Sequence, residues 1–328
     1  MESTNHELRI TNHDMIDFSK KDLLFLAPLA GFTDLPFRQV VKKFGADVTV
    51  SEMISSNALV YNSKKTYKML EKAPNETPYI VQIAGSDIEV IKNAVLILND
   101  IEGIDGIDLN CGCPVPKVVK QGSGSALLND LPKIGKIIET IKKYSNKQYT
   151  SVKSRLGFSE KKPGEIAKVC EDSGADFVTF HARTRSDAYK KERIDYESIA
   201  KAKQAISIPL VANGDITTLE TYKEVKKITG ADAIMIGRGA VGNPWIFYQI
   251  KNSLETVEKE KIKEIVLEHF DSMLDFYGER AVGIFRKHIH SYSKSFPNAT
   301  IFRDKVNRVE DPLLIKEYIN EFFSQTPN

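Results

Sequence analysis

The chain has 328 residues, of which 41% are hydrophobic and 27% charged, the balance of a soluble globular protein large enough to bury a sizeable core. No apolar run approaches the roughly 20 residues that a membrane helix needs, and residues 1–20 are polar without a signal-peptide core, so we expect a cytoplasmic protein with no membrane association. The net charge of +2 excludes a globally basic nucleic-acid binder, so any such feature must be local.

Eight short, β-rich apolar runs recur along the chain at the spacing of βα units. They are Leu24–Leu29, Asp47–Glu52, Tyr79–Ala84, Ile104–Leu109, Thr150–Ser154, Phe177–His181, Pro209–Ala212 and Ala233–Ile236. Segments between them, such as residues 131–144 and 165–173, show helical periodicity. Eight alternations predict an α/β fold, a (β/α)8 TIM barrel, with an open doubly wound sheet as the alternative.

The pattern changes after Trp245, where strand-like runs give way to helical stretches at residues 262–277, 281–291 and 312–323. We therefore predict a polar N-terminal tail over residues 1–20, a barrel over 21–250 and a small all-helical domain over 255–328, joined by the charged segment Lys251–Lys261. Met15 begins a better-patterned segment than Met1, which suggests that residues 1–14 are a dispensable tail or a start-site artefact.

Barrel enzymes carry their active-site groups where the strands end at their carboxyl side, and polar or glycine-rich residues follow most of the predicted strands. These residues are Pro28, Leu29 and Ala30 after the first, Gln82 in the third, Cys113 after the fourth, Lys153 and Arg155 at the end of the fifth, His181, Arg183 and Arg185 in and after the sixth, Asn213, Gly214 and Asp215 after the seventh, and Gly237 and Arg238 after the eighth. Any one of them could be an ordinary structural residue. Together they predict an active site at the barrel mouth.

Cys113 projects from a sharp turn, because Gly112 and Pro114 end the preceding strand. It could be an inert thiol or a general acid, since a free thiol with a pKa of about 8.5 is mostly protonated near neutrality. A metal site with Cys111 is disfavoured because three cysteines without clustered histidines do not make a metal cage, and we predict no metal centre. The same low cysteine count indicates a reducing compartment.

Two further patterns suggest phosphate contacts. The glycine turns after the seventh and eighth strands supply backbone N–H groups where barrels commonly bind a cofactor phosphate, although such turns also occur for structural reasons alone. Residues 280–308 contain seven basic residues and one acidic residue, a net charge of +6, with aromatic residues between them. A solvated helix face would explain this run, but a nucleic-acid contact by residues such as Arg286, Lys287 and Arg303 is the better interpretation.

The segment Asp108–Pro114, followed by a glycine-rich run from Gly122 to Leu128, resembles the signature of the tRNA dihydrouridine synthases of the bacterial type, closest to their B-like subgroup. Ala27–Gly31 with Thr33 and Asp34 extends the resemblance to the N-terminal part of the chain. The resemblance implies reduction of uridine to 5,6-dihydrouridine in the D-loop of tRNA. NADPH or NADH would reduce FMN, FMN would pass hydride to the base, and Cys113 would be the proton donor. The target base would have to be flipped into the barrel mouth.

The resemblance also implies roles for single residues. The FMN set is Pro28, Leu29, Ala30, Gln82, Lys153, His181, Asn213, Gly214, Asp215, Gly237 and Arg238, with Lys153 as the cation that a flavin ring needs near N1. The tRNA set is Asn110, Arg155, Arg183, Arg185, Arg286, Lys287 and Arg303. Ala182 and Cys111 depart from the residues that relatives often carry. No stable protein partner is implied.

Two rivals stay open at the level of the sequence. A flavin barrel acting on a free pyrimidine, such as a dihydroorotate dehydrogenase, would not need the basic helical segment. A barrel that binds tRNA without catalysis would not need Cys113 or Lys153.

Overall fold

The computed structural model describes residues 15–294 and 296–325. Eight parallel strands form a closed barrel in which neighbours in the chain are neighbours in the sheet. They are β1 Leu24–Leu26, β2 Val48–Val50, β3 Tyr79–Ala84, β4 Gly106–Cys111, β5 Tyr149–Arg155, β6 Phe177–His181, β7 Leu210–Asn213 and β8 Ala233–Ile236. Pairing of β1 with β8 and of β2 with β3 closes the ring. The predicted (β/α)8 barrel is confirmed.

All eight predicted strands are present, three of them with the predicted bounds and the others with ends that differ by at most three residues. A further strand of two residues, Ile54–Ser55, pairs with the end of β3 and was missed. A strand this short has no alternating pattern that a sequence could reveal.

Helices follow the strands and continue beyond the barrel. They are α1 Leu35–Lys43, α2 Ser56–Val60, α3 Lys64–Leu70, α4 Ile88–Asn99, α5 Pro116–Lys120, α6 Leu131–Tyr144, α7 Pro163–Asp172, α8 Tyr196–Gln204, α9 Leu219–Thr229, α10 Ile246–Asn252, α11 Lys259–Tyr277, α12 Ala281–Tyr292, α13 Ala299–Asn307 and α14 Pro312–Gln325. Short 3-10 turns cover Gly124–Asn129, Lys191–Arg193, Arg238–Ala240 and Gly278–Arg280. Within the described residues, no helix is long and apolar enough to cross a membrane.

Helix α6 illustrates how local sequence sets these boundaries. The Asp130 side chain accepts a hydrogen bond from the Lys133 N–H and caps the first turn, which is also favoured by a proline in its first two positions. The apolar residues at helical spacing, Ile134, Ile137, Ile138 and Ile141, are all fully buried against the strands. The helix predicted over residues 131–144 is therefore confirmed.

The interior of the barrel is filled at its amino-terminal end. Phe25 and Phe177 meet there edge to face at 5.6 Å, and Tyr149 packs beside them. Ile16 belongs to the same cluster, and its N–H donates to the Tyr149 hydroxyl at 2.7 Å. The remainder of the predicted tail, residues 1–14, lies outside the described residues. Because this end is packed, the carboxyl end is where the barrel can admit a ligand.

The helices after the barrel have a second core of their own. Phe270, Phe285 and Ile319 are buried in it, and Val40 of α1 and Trp245 join it from the barrel side. The predicted helices at 262–277, 281–291 and 312–323 are confirmed as parts of α11, α12 and α14. Helix α13 was missed because only two of its nine residues, Phe302 and Val306, are buried, which leaves little periodicity to detect. We call α11–α14 the helical module.

Candidate active site

A chain of buried hydrogen bonds links side chains of β3, β4 and β5. The Gln82 amide donates to one oxygen of Asp108 at 2.8 Å, and the Ser151 hydroxyl donates to the other at 2.7 Å. The Asn110 amide in turn donates to Oε1 of Gln82 at 2.7 Å. Burial raises the pKa of Asp108 to about 6. The sequence analysis assigned no role to Asp108 or Ser151, although polar residues inside buried strands are a detectable pattern.

Asn110 also shapes the loop that carries Cys113. Its Oδ1 accepts hydrogen bonds from the N–H groups of Gly112 at 3.1 Å and Cys113 at 2.9 Å. The Arg155 guanidinium donates to the Gly112 carbonyl at 2.8 Å. Gly124 has a φ of +62°, and a Cβ there would lie 2.9 Å from the Cys113 carbonyl oxygen, so the glycine-rich run permits this loop to close.

Cys113 is the accessible thiol of the chain, whose three cysteines all lie in the described residues. It is partly exposed, whereas Cys111 and Cys170 are buried. Burial raises the pKa of the Cys111 thiol far above its ordinary value and that of Cys170 to about 12. Both buried thiols are therefore inert near neutral pH, and proton transfer to a ligand can involve only Cys113 among them.

Several positive charges converge on the barrel mouth. The Lys153 ammonium donates to Oδ1 of Asn213 at 3.2 Å. Its pKa is lowered to about 8, first by burial and then by the Arg155 charge, while Asp108 opposes the shift. Burial and the charges of Lys153, Arg155 and other cations lower the pKa of His181 well below its ordinary value. His181 is thus neutral at pH 7, and its Nδ1 has no hydrogen-bond partner among the described residues.

The loops after β7 and β8 approach each other around Asp215. This carboxylate pairs with Arg183 and, at 2.5 Å, with Arg238, whose side chain is 54% exposed. Gly214 and Asp215 have positive φ angles of +136° and +46°. Asn213 holds the base of the loop through a 2.7 Å bond from its amide to the Met235 carbonyl. The residues predicted to hold a cofactor phosphate therefore lie close together in these two loops, and the Arg238 guanidinium among them is exposed.

The segment after β1 borders the same loops. A Cβ on Gly237 would lie 3.3 Å from Cβ of Ala27 and 3.7 Å from the Leu29 side chain, so the two loops are in close contact. Pro28 and Leu29 are partly exposed and Ala30 is exposed. The Leu29 N–H donates to the Thr33 hydroxyl at 2.9 Å, which fixes the turn.

The predicted tRNA-binding arginines of the barrel differ in exposure. Arg155 and Arg183 are 3% and 0% exposed, and both donate to loop carbonyls, Arg155 to Thr184 at 2.9 Å and Arg183 to Lys190 at 2.8 Å. Arg185 is partly exposed and stacks over the Phe158 ring at 5.1 Å. Arg155 and Arg183 therefore hold the mouth loops in shape, a role that the sequence does not reveal.

The predicted residues of the helical module are all partly exposed. Arg286 donates to the Val309 carbonyl at 3.0 Å, and Arg303 donates to the Ser293 hydroxyl at 2.9 Å. The Lys287 ammonium lies 5.3 Å from the centroid of the Phe32 ring, in the loop that follows β1. Lys287 is thus the member of this set that the fold brings to the barrel mouth.

Comparison with known proteins shows the family to which the chain belongs. The family model described as dihydrouridine synthase (Dus) matches residues 25–325. The chain belongs to this family. It is 51% identical over 310 residues to a "Probable tRNA-dihydrouridine synthase" of Helicobacter pylori, covering 94% of each chain. It is 39% identical to "tRNA-dihydrouridine synthase B" of Pseudomonas syringae, covering 92% of this chain and 91% of the relative.

Solved structures with similar architecture are much more distant in sequence. The old yellow enzyme from Trypanosoma cruzi superposes with a TM-score of 0.55 at 8% identity, covering 78% of this chain and 93% of that one. Morphinone reductase superposes with a TM-score of 0.52 at 11% identity, covering 72% of this chain and 87% of that one. These similarities concern the barrel fold alone.

Proposed function

We propose that the protein reduces uridine to 5,6-dihydrouridine in the D-loop of tRNA, with FMN as cofactor and NADPH or NADH as reductant. The observation that carries the proposal is Cys113, a partly exposed thiol held at the carboxyl end of the barrel by Asn110. The family and the names of the relatives give the substrate and the reaction class. A tRNA substrate also supports the expected cytoplasmic location.

The residues at the mouth have the chemistry that FMN requires. A dianionic phosphate would find glycine N–H groups and the exposed Arg238 guanidinium in the loops after β7 and β8. Lys153 is a cation with a depressed pKa, and an anionic or electron-rich ring edge nearby would stabilise its charge. His181 Nδ1 and the buried Thr179 hydroxyl lack partners among the described residues and would find them on such a ligand. FMN bound there would supply the hydride that C6 of the uracil ring receives.

Cys113 supplies the other half of the reduction. Its S–H bond breaks as a C–H bond forms at C5 of the base, and the sulfur keeps the electron pair as a thiolate. Cys113 is partly exposed, so solvent can return a proton to the sulfur after the base has been reduced. Asn110 and Arg155 hold the loop, so the thiol is in place before the base arrives.

The cationic side chains around the mouth would bind phosphates of the tRNA backbone. Lys287 adjoins the loop after β1, and Arg185 lies in the loop after β6. With Arg286 and Arg303 they form a set that tRNA phosphates would neutralise, with a marked dependence on salt. The target uridine must leave the tRNA stack to reach Cys113, so we expect base flipping.

The test is a reaction with tRNA that lacks dihydrouridine, FMN-loaded protein and NADPH, in which dihydrouridine is quantified and mapped. We expect the product in the D-loop of tRNA and no reduction of free uridine. Cys113→Ala should keep flavin and tRNA binding but lose at least about tenfold in base reduction, because only the proton donor is removed.

Cys111→Ala is the matched control, because it removes an identical group two residues away. Cys111 is fully buried, so this variant should lose stability by about 1–2 kcal/mol with turnover changed much less. Equal loss of turnover in the two variants would contradict the role of Cys113. Reduction of free pyrimidine but not of tRNA would contradict the proposed substrate.

A further inference from the structure

Three ligand-forming side chains meet where the barrel contacts the helical module. Asp34 caps the start of α1, His269 lies in α11 and His288 in α12, and they are 5%, 0% and 0% exposed. One oxygen or nitrogen atom from each lies within 4.8 Å of the other two. Neither histidine belongs to the proposed active site.

The two histidines have buried nitrogens that nothing in the described residues satisfies. His288 has no hydrogen-bond partner at Nδ1 or Nε2, and His269 has none at Nε2. A neutral imidazole has one N–H donor and one lone pair, and leaving both unpaired in a dry interior is unfavourable. Such groups require a ligand, a water or another explanation.

Hydrogen bonds with two tyrosines orient His269 and Asp34. His269 Nδ1 lies 3.0 Å from the Tyr292 hydroxyl, and the hydroxyl of Tyr277 donates to Oδ2 of Asp34 at 3.0 Å. Metal-binding histidines commonly use their second nitrogen in this way, which fixes the ring and leaves the first lone pair directed at the ion. In His269 that arrangement leaves Nε2 as the ligand.

Aromatic rings enclose the cluster and exclude bulk water. The Phe37 ring lies 5.5 Å from each imidazole, and the Phe285 ring lies 5.0 Å from His269 and 5.7 Å from His288, measured between centroids. The Phe32 ring contacts His288 at 5.5 Å. The two imidazole centroids are themselves 4.6 Å apart.

The protonation states suit a cation. Burial, followed by the Lys287 charge, lowers the pKa of His269 to about 3, and burial also lowers that of His288, so both rings are neutral at pH 7 and can donate lone pairs. Burial and the neighbouring Glu52 raise the pKa of Asp34 to about 6, whereas Lys287 opposes the shift. Asp34 is therefore largely ionised at pH 7.

We propose that Asp34, His269 and His288 bind a zinc ion that joins the start of α1 to α11 and α12. Two imidazole nitrogens and one carboxylate oxygen are a donor set that zinc accepts, whereas magnesium and calcium prefer oxygen ligands throughout. Zinc bonds of about 2.0–2.2 Å hold ligand atoms closer together than the 4.8 Å that bounds their present separation, so the three side chains would converge when the ion binds. The site lies outside the proposed flavin and uridine site, so it can be tested without activity measurements.

The first experiment measures the metal content of the full-length protein purified from zinc-containing medium. We expect one zinc ion per chain in the wild type and its loss in His288→Ala and in His269→Ala. His290→Ala is the matched control, because His290 lies on the same helix but outside the cluster. Its Nε2 lies 3.1 Å from Oδ1 of Asn307, with which it forms a hydrogen bond. Equal zinc content in His288→Ala and His290→Ala would overturn the proposal.

The second experiment needs only the wild type, so it decides the question even if a variant fails to fold. Chelator-treated protein is titrated with Zn²⁺, with Co²⁺ and with Mg²⁺, while thermal stability and the visible absorption of cobalt are recorded. We expect the midpoint temperature of thermal unfolding to rise with zinc but not with magnesium. Bound cobalt should give the intense visible absorption bands of a four-coordinate site. Absence of binding at micromolar zinc would overturn the proposal and leave a buried water as the partner of His288.

Discussion

Asn110→Ala tests whether the loop that carries Cys113 is held by one side chain. The substitution removes three hydrogen bonds, two accepted from the Gly112 and Cys113 N–H groups and one donated to Gln82. At about 1 kcal/mol each, their loss should lower the free energy of unfolding by about 3 kcal/mol. An unfolding entropy of about 2.1 cal/mol/K per residue converts this to a melting-temperature decrease of about 4 °C for a chain of 328 residues.

The expected functional loss is larger than the stability change suggests. A thiol displaced by about 1 Å can lose on the order of 100-fold in rate, so we expect kcat for dihydrouridine formation to fall by roughly 10- to 100-fold with a smaller change in KM. The rate of Cys113 alkylation by iodoacetamide, measured by mass spectrometry without substrate, should rise because the loop is freed.

Asn99→Ala is the control for Asn110→Ala. The Asn99 amide donates to the Tyr144 carbonyl at 2.8 Å and its Oδ1 accepts from the Asn146 N–H at 2.9 Å, far from Cys113 in the fold. It should lower the melting temperature by about 3 °C and leave kcat and alkylation unchanged. If Asn110→Ala matched Asn99→Ala in both kcat and alkylation rate, the positioning role of Asn110 would be refuted.

Three further predictions follow from buried or clustered charges. The pKa of Lys153 falls from 10.5 to about 8 in the folded state, so the unfolded chain binds more protons between these values and stability rises with pH there. Lys153→Met should therefore stabilise the flavin-free protein by at most about 3 kcal/mol at pH 7, with the gain lost progressively from about pH 8 and gone only above the unfolded pKa of 10.5, and should reduce flavin content. Replacing the three cations of the helical module, Arg286, Lys287 and Arg303, with alanine should flatten the slope of log tRNA affinity against log salt by somewhat under one unit for each lost contact, and leave flavin reduction by NADPH intact. Glu76→Ala should cost about 3–5 kcal/mol of stability, because it leaves the fully buried Arg38 guanidinium without its carboxylate.

Each of these predictions has a direct check. For Lys153, the free energy of unfolding in urea is measured for the wild type and Lys153→Met at several pH values, and flavin content is measured separately by absorbance. A gain in stability that does not change with pH would be inconsistent with the titration of the lysine. For the module cations, Lys136→Ala with Lys143→Ala on the exposed face of α6 is the control, and an unchanged salt slope would mean that the module surface is merely solvated. For Glu76, a melting temperature equal to that of the wild type would show that Arg38 is stabilised by its carbonyl contacts, to Thr33 at 3.0 Å and Glu71 at 2.6 Å.

The barrel was predictable from the sequence because each of its strands is buried on both faces. Runs such as Tyr79–Ala84 and Phe177–His181 are therefore continuously apolar or nearly so, and they stand out from the amphipathic helices between them. Cys113 was predictable for a similar local reason, since Gly112 and Pro114 end the strand directly beside it. In both cases, neighbours in the chain carry the information.

The exposure of the arginines was decided only by the tertiary structure. Arg155, Arg183 and Arg185 look alike in the sequence, because each lies at or just beyond the carboxyl end of a strand. Arg155 and Arg183 nevertheless turn inward to loop carbonyls, whereas Arg185 stays partly exposed. The difference depends on where the carbonyls of distant loops lie, and no local pattern records that.

The cluster of Asp34, His269 and His288 depends on the tertiary structure most completely. The sequence predicts no metal centre because its three cysteines lack clustered histidines, and Asp34 is separated from both His269 and His288 by the whole barrel. The three residues meet because the first turn of α1 packs against α11 and α12. Helix capping, periodicity and turn chemistry act within a few residues and can therefore be read along the chain, whereas contacts between elements at its two ends arise only when the chain has folded.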